Sequence, residues 1–234
     1  MATNSDNSGA GGSGGGGGGG LHLCMTKYVD DGSVESYRYY LARKTVLEML
    51  KDRGYDVTDS EATCSLAAFR AVFGDKPEPE SLRLCFPHPS NSSKKILVVF
   101  MGTVEIRVPT IRALSSQIVG KESLNGLILI LQSKMNSFAR KEIEKQFSFK
   151  VEIFQITDLL VNISKHFLVP THEILSSEEK KELLKKHQLD DKQLPQLLQT
   201  DPIAKYYGLE KGQVVKLTYP EELVKNLVIY RCVV

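Results

Sequence analysis

Two uninterrupted apolar runs, residues 95–102 (KILVVFMG) and 126–132 (GLILILQ), constrain this chain more than any other feature. A strand with no polar interruption leaves no face for water. Each run is therefore expected to be a strand covered on both sides, the habit of parallel sheets. Between them, Pro109 and Thr110 open a helical stretch that runs through Ile118. After the second run, Asn136 is a cap residue for a helix over 137–146, and 149–156 supplies a third strand. Strand, helix, strand, helix, strand predicts a layered βαβ unit with a largely parallel sheet. Val104, Ile106 and Val108 alternate with polar residues, which reads as a further, half-exposed strand.

Upstream, Tyr39, Ala42, Val46, Met49 and Leu50 recur at helical intervals, so a helix is expected from Ser33 to Arg53 with Gly54 as its C-cap. Its other face carries Arg38, Lys44, Lys51 and Arg53, which reads as a solvated surface or a phosphate contact. A second short helix is expected over 62–73, with Leu66, Phe69 and Phe73 inward. The following GDKPEPE is a loop, because its prolines fit neither periodicity. Residues 1–20 hold ten of the eighteen glycines. Such a segment has too little apolar surface to offset the entropy of ordering, and is expected to be a disordered tail or tether.

The C-terminal part is written in explicit local signals. Ser176 followed by Glu179 is a capping box. The helix it starts puts Leu183, Leu184 and His187 on one side, with Lys180, Lys181, Lys185 and Lys186 toward the end where cations suit the dipole. Pro195 marks a turn. Asp201-Pro202 starts a second short helix that Gly208 ends. Gly212 opens a strand over 213–218, and 227–233 is a second strand, so the chain is expected to close on an antiparallel pair.

Composition excludes several classes. A formal net charge of +2 supplies no field strong enough to gather nucleic acid. No apolar run reaches the length of a membrane span. Cys24, Cys64, Cys85 and Cys232 form no CxxC pair and read as reduced thiols. His22, His88, His166, His172 and His187 show no HExxH-type spacing, so neither a metal nor another cofactor is expected. No strand is followed by a glycine-rich phosphate loop or a GxSxG elbow. Glu105, Glu122, Glu142, Glu144 and Glu152 follow no acid/base or metal-holding pattern, so active-site chemistry is not expected.

The strings SSEEKKELLKKHQL, QLP, DPIAKYYGL and KGQVVK occur in one order and spacing. Together they resemble the C-terminal assembly domain of the fifth-largest subunit shared by eukaryotic nuclear RNA polymerases, a domain that is similar to a small subunit of the archaeal polymerase. EMLKDRGYDVT resembles the first helix and turn of the same family. ESYRYYLARKTVLEML and FKVEIFQITDLLVNISKH resemble its divergent plant version, assigned to polymerase V and RNA-directed DNA methylation. The resemblance covers about residues 24–234.

It implies an α/β and α+β protein: an N-terminal layered βαβ-type jaw domain (24–160) and a small mixed assembly domain (161–234), joined through LLVNISKHFLVP. It further implies a nuclear, non-catalytic polymerase subunit that docks on the largest subunit. The jaw would lie beside downstream duplex DNA, with weak, sequence-independent contacts. Carried over from the family are His166, Pro170, His172, Leu175, Glu179, Leu194, Pro195, Asp201, Pro202, Tyr206, Gly208, Gly212 and Val215. All of these except Glu179 and Val215 are candidate partner contacts, and most also shape the fold. His172 is either a contact to the largest subunit or a structural histidine.

The DNA-proximal loop of the family carries Thr-Pro-Ser-Ala. Here the stretch is Met135, Asn136, Ser137, Phe138 and Ala139, followed by Arg140, with the proline lost and a bulky ring added. Arg38, Arg107, Arg112, Arg140 and Lys141 are candidate phosphate contacts or ordinary surface charge. The last hairpin, Tyr219 to Asn226, lacks the family's Ser-Glu-Thr and glycine. A free-standing transcription adaptor and a remnant nuclease are the alternative functions.

Overall fold

The computed structural model describes residues 33–88, 91–220, 222, 224 and 227–234, without the side chains of 91–94. The glycine tail, His22, Cys24 and the hairpin residues Glu221, Leu223, Lys225 and Asn226 lie outside the described residues.

Helix α1 (Val34–Asp52) buries all five positions of the expected stripe. Val46, Met49 and Leu50 are fully buried, and each stabilises by about 1.5–3 kcal/mol relative to exposure. Gly54 then turns the chain at φ 88°. The single helix expected over 62–73 is two: α2 (Asp59–Ala62) and α3 (Leu66–Phe73). Ser65 separates them because its hydroxyl accepts from the Ala68 amide at 3.2 Å and begins a new helix. Phe69 is buried, whereas Leu66 and Phe73 are only half-buried.

The first sheet has the order β1-β2-β3-β4. Its strands are β1 (Leu84–His88), β2 (Asn91–Phe100), β3 (Leu124–Leu131) and β4 (Lys150–Gln155). The last three pair in parallel, connected by α4 (Val108–Gln117) and α5 (Ser137–Gln146). Alternate residues of one strand feed two cores. Val98 and Phe100 pack toward α1 with Ile128 and Ile130, while Val99 joins Leu127, Leu129 and Ile111 on the opposite face. Strand β1, antiparallel to β2, was not expected; it is short and contains Pro87, so it carries little periodicity. The strand expected at Val104, Ile106 and Val108 is absent. Ile106 makes one isolated bridge to Met135, Val104 is 80% exposed, and Pro109 in the first turn draws Val108 into α4.

The second sheet has the order β5-β7-β8-β6: β5 (Thr171–Ile174), β6 (Gln196–Leu197), β7 (Val214–Thr218) and β8 (Val228–Val233). The expected antiparallel pair is its centre. Four-residue β5 and two-residue β6 add the edges and are too short for a periodic signal. Its helices are α6 (Ser177–His187), with the full capping box, and α7 (Pro202–Tyr207).

Candidate assembly interface

Helix α7 starts where Asp201 Oδ1 accepts from the Ile203 amide at 2.8 Å and ends at Gly208, φ 66°. Its C-terminal carbonyls are not left to water. Arg53, at the far end of α1, donates from Nε to the Tyr206 carbonyl at 2.8 Å and from Nη2 to the Lys205 carbonyl at 2.7 Å. The same guanidinium holds Glu152 of β4 bidentately at 3.0 and 2.8 Å. A cation at a helix C-terminus suits the dipole, and the fork of Arg provides the donors. Arg53 is thus neither a solvated charge nor a phosphate contact, since its side chain is only 8% exposed. A Cβ on Gly208 would lie 3.1 Å from the guanidinium, so glycine is required there for space as well as conformation.

Beside this joint, the buried Tyr206 hydroxyl donates to Asp52 at 2.6 Å. Asn162 Nδ2 donates to Tyr206 at 3.1 Å and to Glu48 at 2.8 Å. Lys165 closes the set 2.9 Å from Glu48. Burial, then the Asp52 carboxylate, pushes the Tyr206 phenol far above its usual range. Burial would raise Glu48, but the hydrogen bonds from Asn162 and Lys165 outweigh it and hold the carboxyl below its usual range. The sequence offered one signal for the joint: in KVEIFQ, Glu152 falls on the same face as buried Phe154.

The candidate partner residues divide by exposure. Leu194 and Tyr206 are buried within the chain; Pro170, His172, Leu175, Asp201 and Gly208 are half-buried; His166, Pro195, Pro202 and Gly212 are exposed. His172 stacks 5.7 Å from the Tyr207 ring, and burial lowers its pKa against the hydrogen bond it donates to the Pro170 carbonyl. Leu175 packs on Leu194, Val214 and Cys232. Pro195 accepts from the Cys232 amide at 2.8 Å, and Gly212 turns at φ 83°. Next to His166, Phe167 and Leu168 stand 70% and 50% exposed. Glu179 returns its carboxylate to the Ser176 amide at 2.7 Å, and Val215 is fully buried.

The stretch 136–140 sits at the C-terminal end of β3. Asn136 Oδ1 accepts from the Ala139 amide at 2.7 Å, Ala139 is buried, Ser137 and Arg140 are exposed, and Phe138 is 71% exposed. The loop before α4 lies against it, with Ser133 Oγ donating to the Val104 carbonyl at 2.7 Å. Arg107 and Arg112 are engaged by Glu105 and Glu142, each at 2.8 Å. Among the described residues no cluster of His, Cys, Asp or Glu could hold a metal ion, and no helix is long and apolar enough to cross a membrane.

A mostly parallel α/β sheet is joined to a small mixed sheet through Arg53, Tyr206 with Asp52, and the Asn162 set, which makes a protein of two mixed α/β modules. The chain belongs to the RNA polymerase Rpb5 family: the Rpb5 N-terminal domain matches residues 33–118 and the Rpb5 C-terminal domain matches 161–233. It is 54% identical over 211 residues to DNA-directed RNA polymerase V subunit 5C of Arabidopsis thaliana, covering 90% of each chain. It is 51% identical to the Arabidopsis RNA polymerases IV and V subunit 5B, over 88% of this chain and 94% of the relative. The RPABC1 subunit of RNA polymerases I, II and III from Caenorhabditis briggsae is 36% identical, over 87% of this chain and 99% of the relative.

Proposed function

We propose that this chain is a non-catalytic structural subunit of a nuclear DNA-dependent RNA polymerase, in plants polymerase V acting in RNA-directed DNA methylation. The observation that carries this reading is the 54% identity to a polymerase V subunit, which spans both sheets. In the proposal, residues 24–160 form a jaw beside downstream DNA and 161–234 form the domain that seats on the largest subunit. His166, His172 and Pro195, together with exposed Phe167 and Leu168, are the proposed contact side chains. Buried Leu194 and Tyr206, with Gly208 and Asp201, act by holding that surface in shape.

DNA contact would run through 136–140, where Phe138 and Arg140 face water and Asn136 and Ala139 fix the loop. Arg140 and Lys141 are the stronger phosphate candidates, because Arg107 and Arg112 are already neutralised by carboxylates. Such contacts are few, so they would be weak, fall with salt on a shallow slope set by their number, and carry no sequence preference.

The test is purification from plant nuclei through a tag on this chain, with mass spectrometry of what remains after a high-salt wash. The largest subunit of polymerase V is expected in equimolar amount. A chain that elutes without any polymerase largest subunit, as a free adaptor would, refutes the reading.

A further inference from the structure

Four strand edges end the two sheets, and three are blunted. β1 carries Pro87 and a register shift at Pro87/His88; β5 has four residues and β6 only two. Such devices keep an edge from recruiting another chain. β4 has none of them. It offers six residues, KVEIFQ, in uninterrupted register with β3 and without proline. Only its first residue is tied across that edge, Lys150 Nζ donating to the Gly208 carbonyl at 2.7 Å, and no backbone hydrogen bond beyond β3 is made by Val151–Phe154 among the described residues.

The edge is not buried either. Along it runs a groove of about 590 Å³, floored by Val151 and Ile153 and walled by Arg140 and Ile143 of α5, by Phe147 just after it, and by Lys205 of α7. A second space of about 190 Å³ separates the strand from α7. Helix α5 leaves Val151 and Ile153 half-exposed, so an apolar strip accompanies the unused amides and carbonyls.

We propose that β4 is a docking edge, and that its occupant is an extended segment of a partner protein that pairs with it as a fifth strand. Backbone groups spaced along about 20 Å of strand are matched by another strand. Alternate apolar side chains of the segment would cover Val151 and Ile153. The lining is of mixed sign, with Glu144 and Asp158 beside Arg140 and Lys205, which suits a peptide bearing both charges.

The proposal goes beyond the polymerase reading, and the experiment separates the two. Complexes purified through a tag on the full chain are compared with the isolated chain by hydrogen exchange over Lys150–Gln155. A benzophenone side chain placed at exposed Gln155 supplies cross-links from the same complexes. The expected result is exchange slowed about tenfold or more in the complex, and cross-links confined to one short protein segment. Ile153→Lys, checked for an unchanged fold by thermal melting, should remove both effects while the other subunits still co-purify. Equal exchange in complex and isolated chain, or cross-links to nucleic acid alone, would overturn the docking edge. Absence of a polymerase largest subunit from the complexes would refute the polymerase reading alone, because β4 exchange is still read in whatever complex forms.

Discussion

The two sheets have four strands each and little else in common. The first has strands of ten, eight and six residues in parallel, with apolar layers on both faces. The second is built on β7 and β8 with two stub edges, and its longest helix, α6, buries no residue completely. A sheet with so little of its own interior gains order from what it touches. Here that contact is α7, clamped by Arg53 and Tyr206 to the end of α1. Strand number therefore says little about self-sufficiency; the depth of the layers on each face decides it.

The comparison can be broken most directly at the clamp. Arg53→Ala leaves the half-buried Glu152 without its guanidinium and strips the Tyr206 carbonyl of its side-chain donor, and should cost about 3 kcal/mol in urea unfolding. The double change Arg53→Met with Glu152→Met should recover most of that loss. If Arg53→Ala left the second sheet's hydrogen exchange unaltered, that sheet would be self-sufficient after all. Gly208→Ala keeps every partner but forces a left-handed alanine against the guanidinium, for an expected loss of about 1–2 kcal/mol. Ser176→Ala removes half of a capping box on a helix whose apolar face, Leu183 and Leu184, is only half-buried. About 1 kcal/mol is expected, with exchange rising in α6 and unchanged in β2 and β3.

Smaller effects sharpen the contrast. His172 lies in the second sheet with its pKa lowered by burial from the ordinary 6.5. The unfolded chain thus takes up the proton first, so stability is complete above about that pH and declines as pH falls through the folded value. Melting curves between pH 7.5 and about 5 should slope for the native chain and flatten for His172→Gln. Arg107→Ala, in an exposed pair with Glu105, should change stability by no more than about 0.5 kcal/mol.

What the sequence disclosed was local. Ser176 with Glu179, Asn136, Asp201 with Pro202, and Gly208 act within one turn of themselves, and each sits where its neighbours imply. The long apolar runs were equally legible, because a strand buried on two faces needs no distant partner to declare itself. Strands β1, β5 and β6 were not, being too short to show a period. Val104 to Val108 misled for the opposite reason: the alternation was real, but pairing needs a neighbour and Pro109 favoured a helix. Arg53 lies deepest beyond local reading. Its partners are 99 and 153 residues away, so only Glu152 on a buried face hinted that a cation must arrive. Of the candidate site, the shaping residues followed from turn chemistry, whereas which side chains face outward required the fold.

The clamp also imposes a sequence of events during synthesis. Arg53 at the end of α1 and Glu152 of β4 both precede the end of the first sheet at Gln155, yet the carbonyls that fill the remaining donors come from residues 205 and 206, some fifty positions later. At roughly 5–20 residues per second, the nascent chain spends about 3–10 s with a finished first sheet and a half-engaged guanidinium. During that interval the ribosome-bound polypeptide presents an arginine already aimed and waiting, so the last helix to emerge is captured by a surface assembled before it existed.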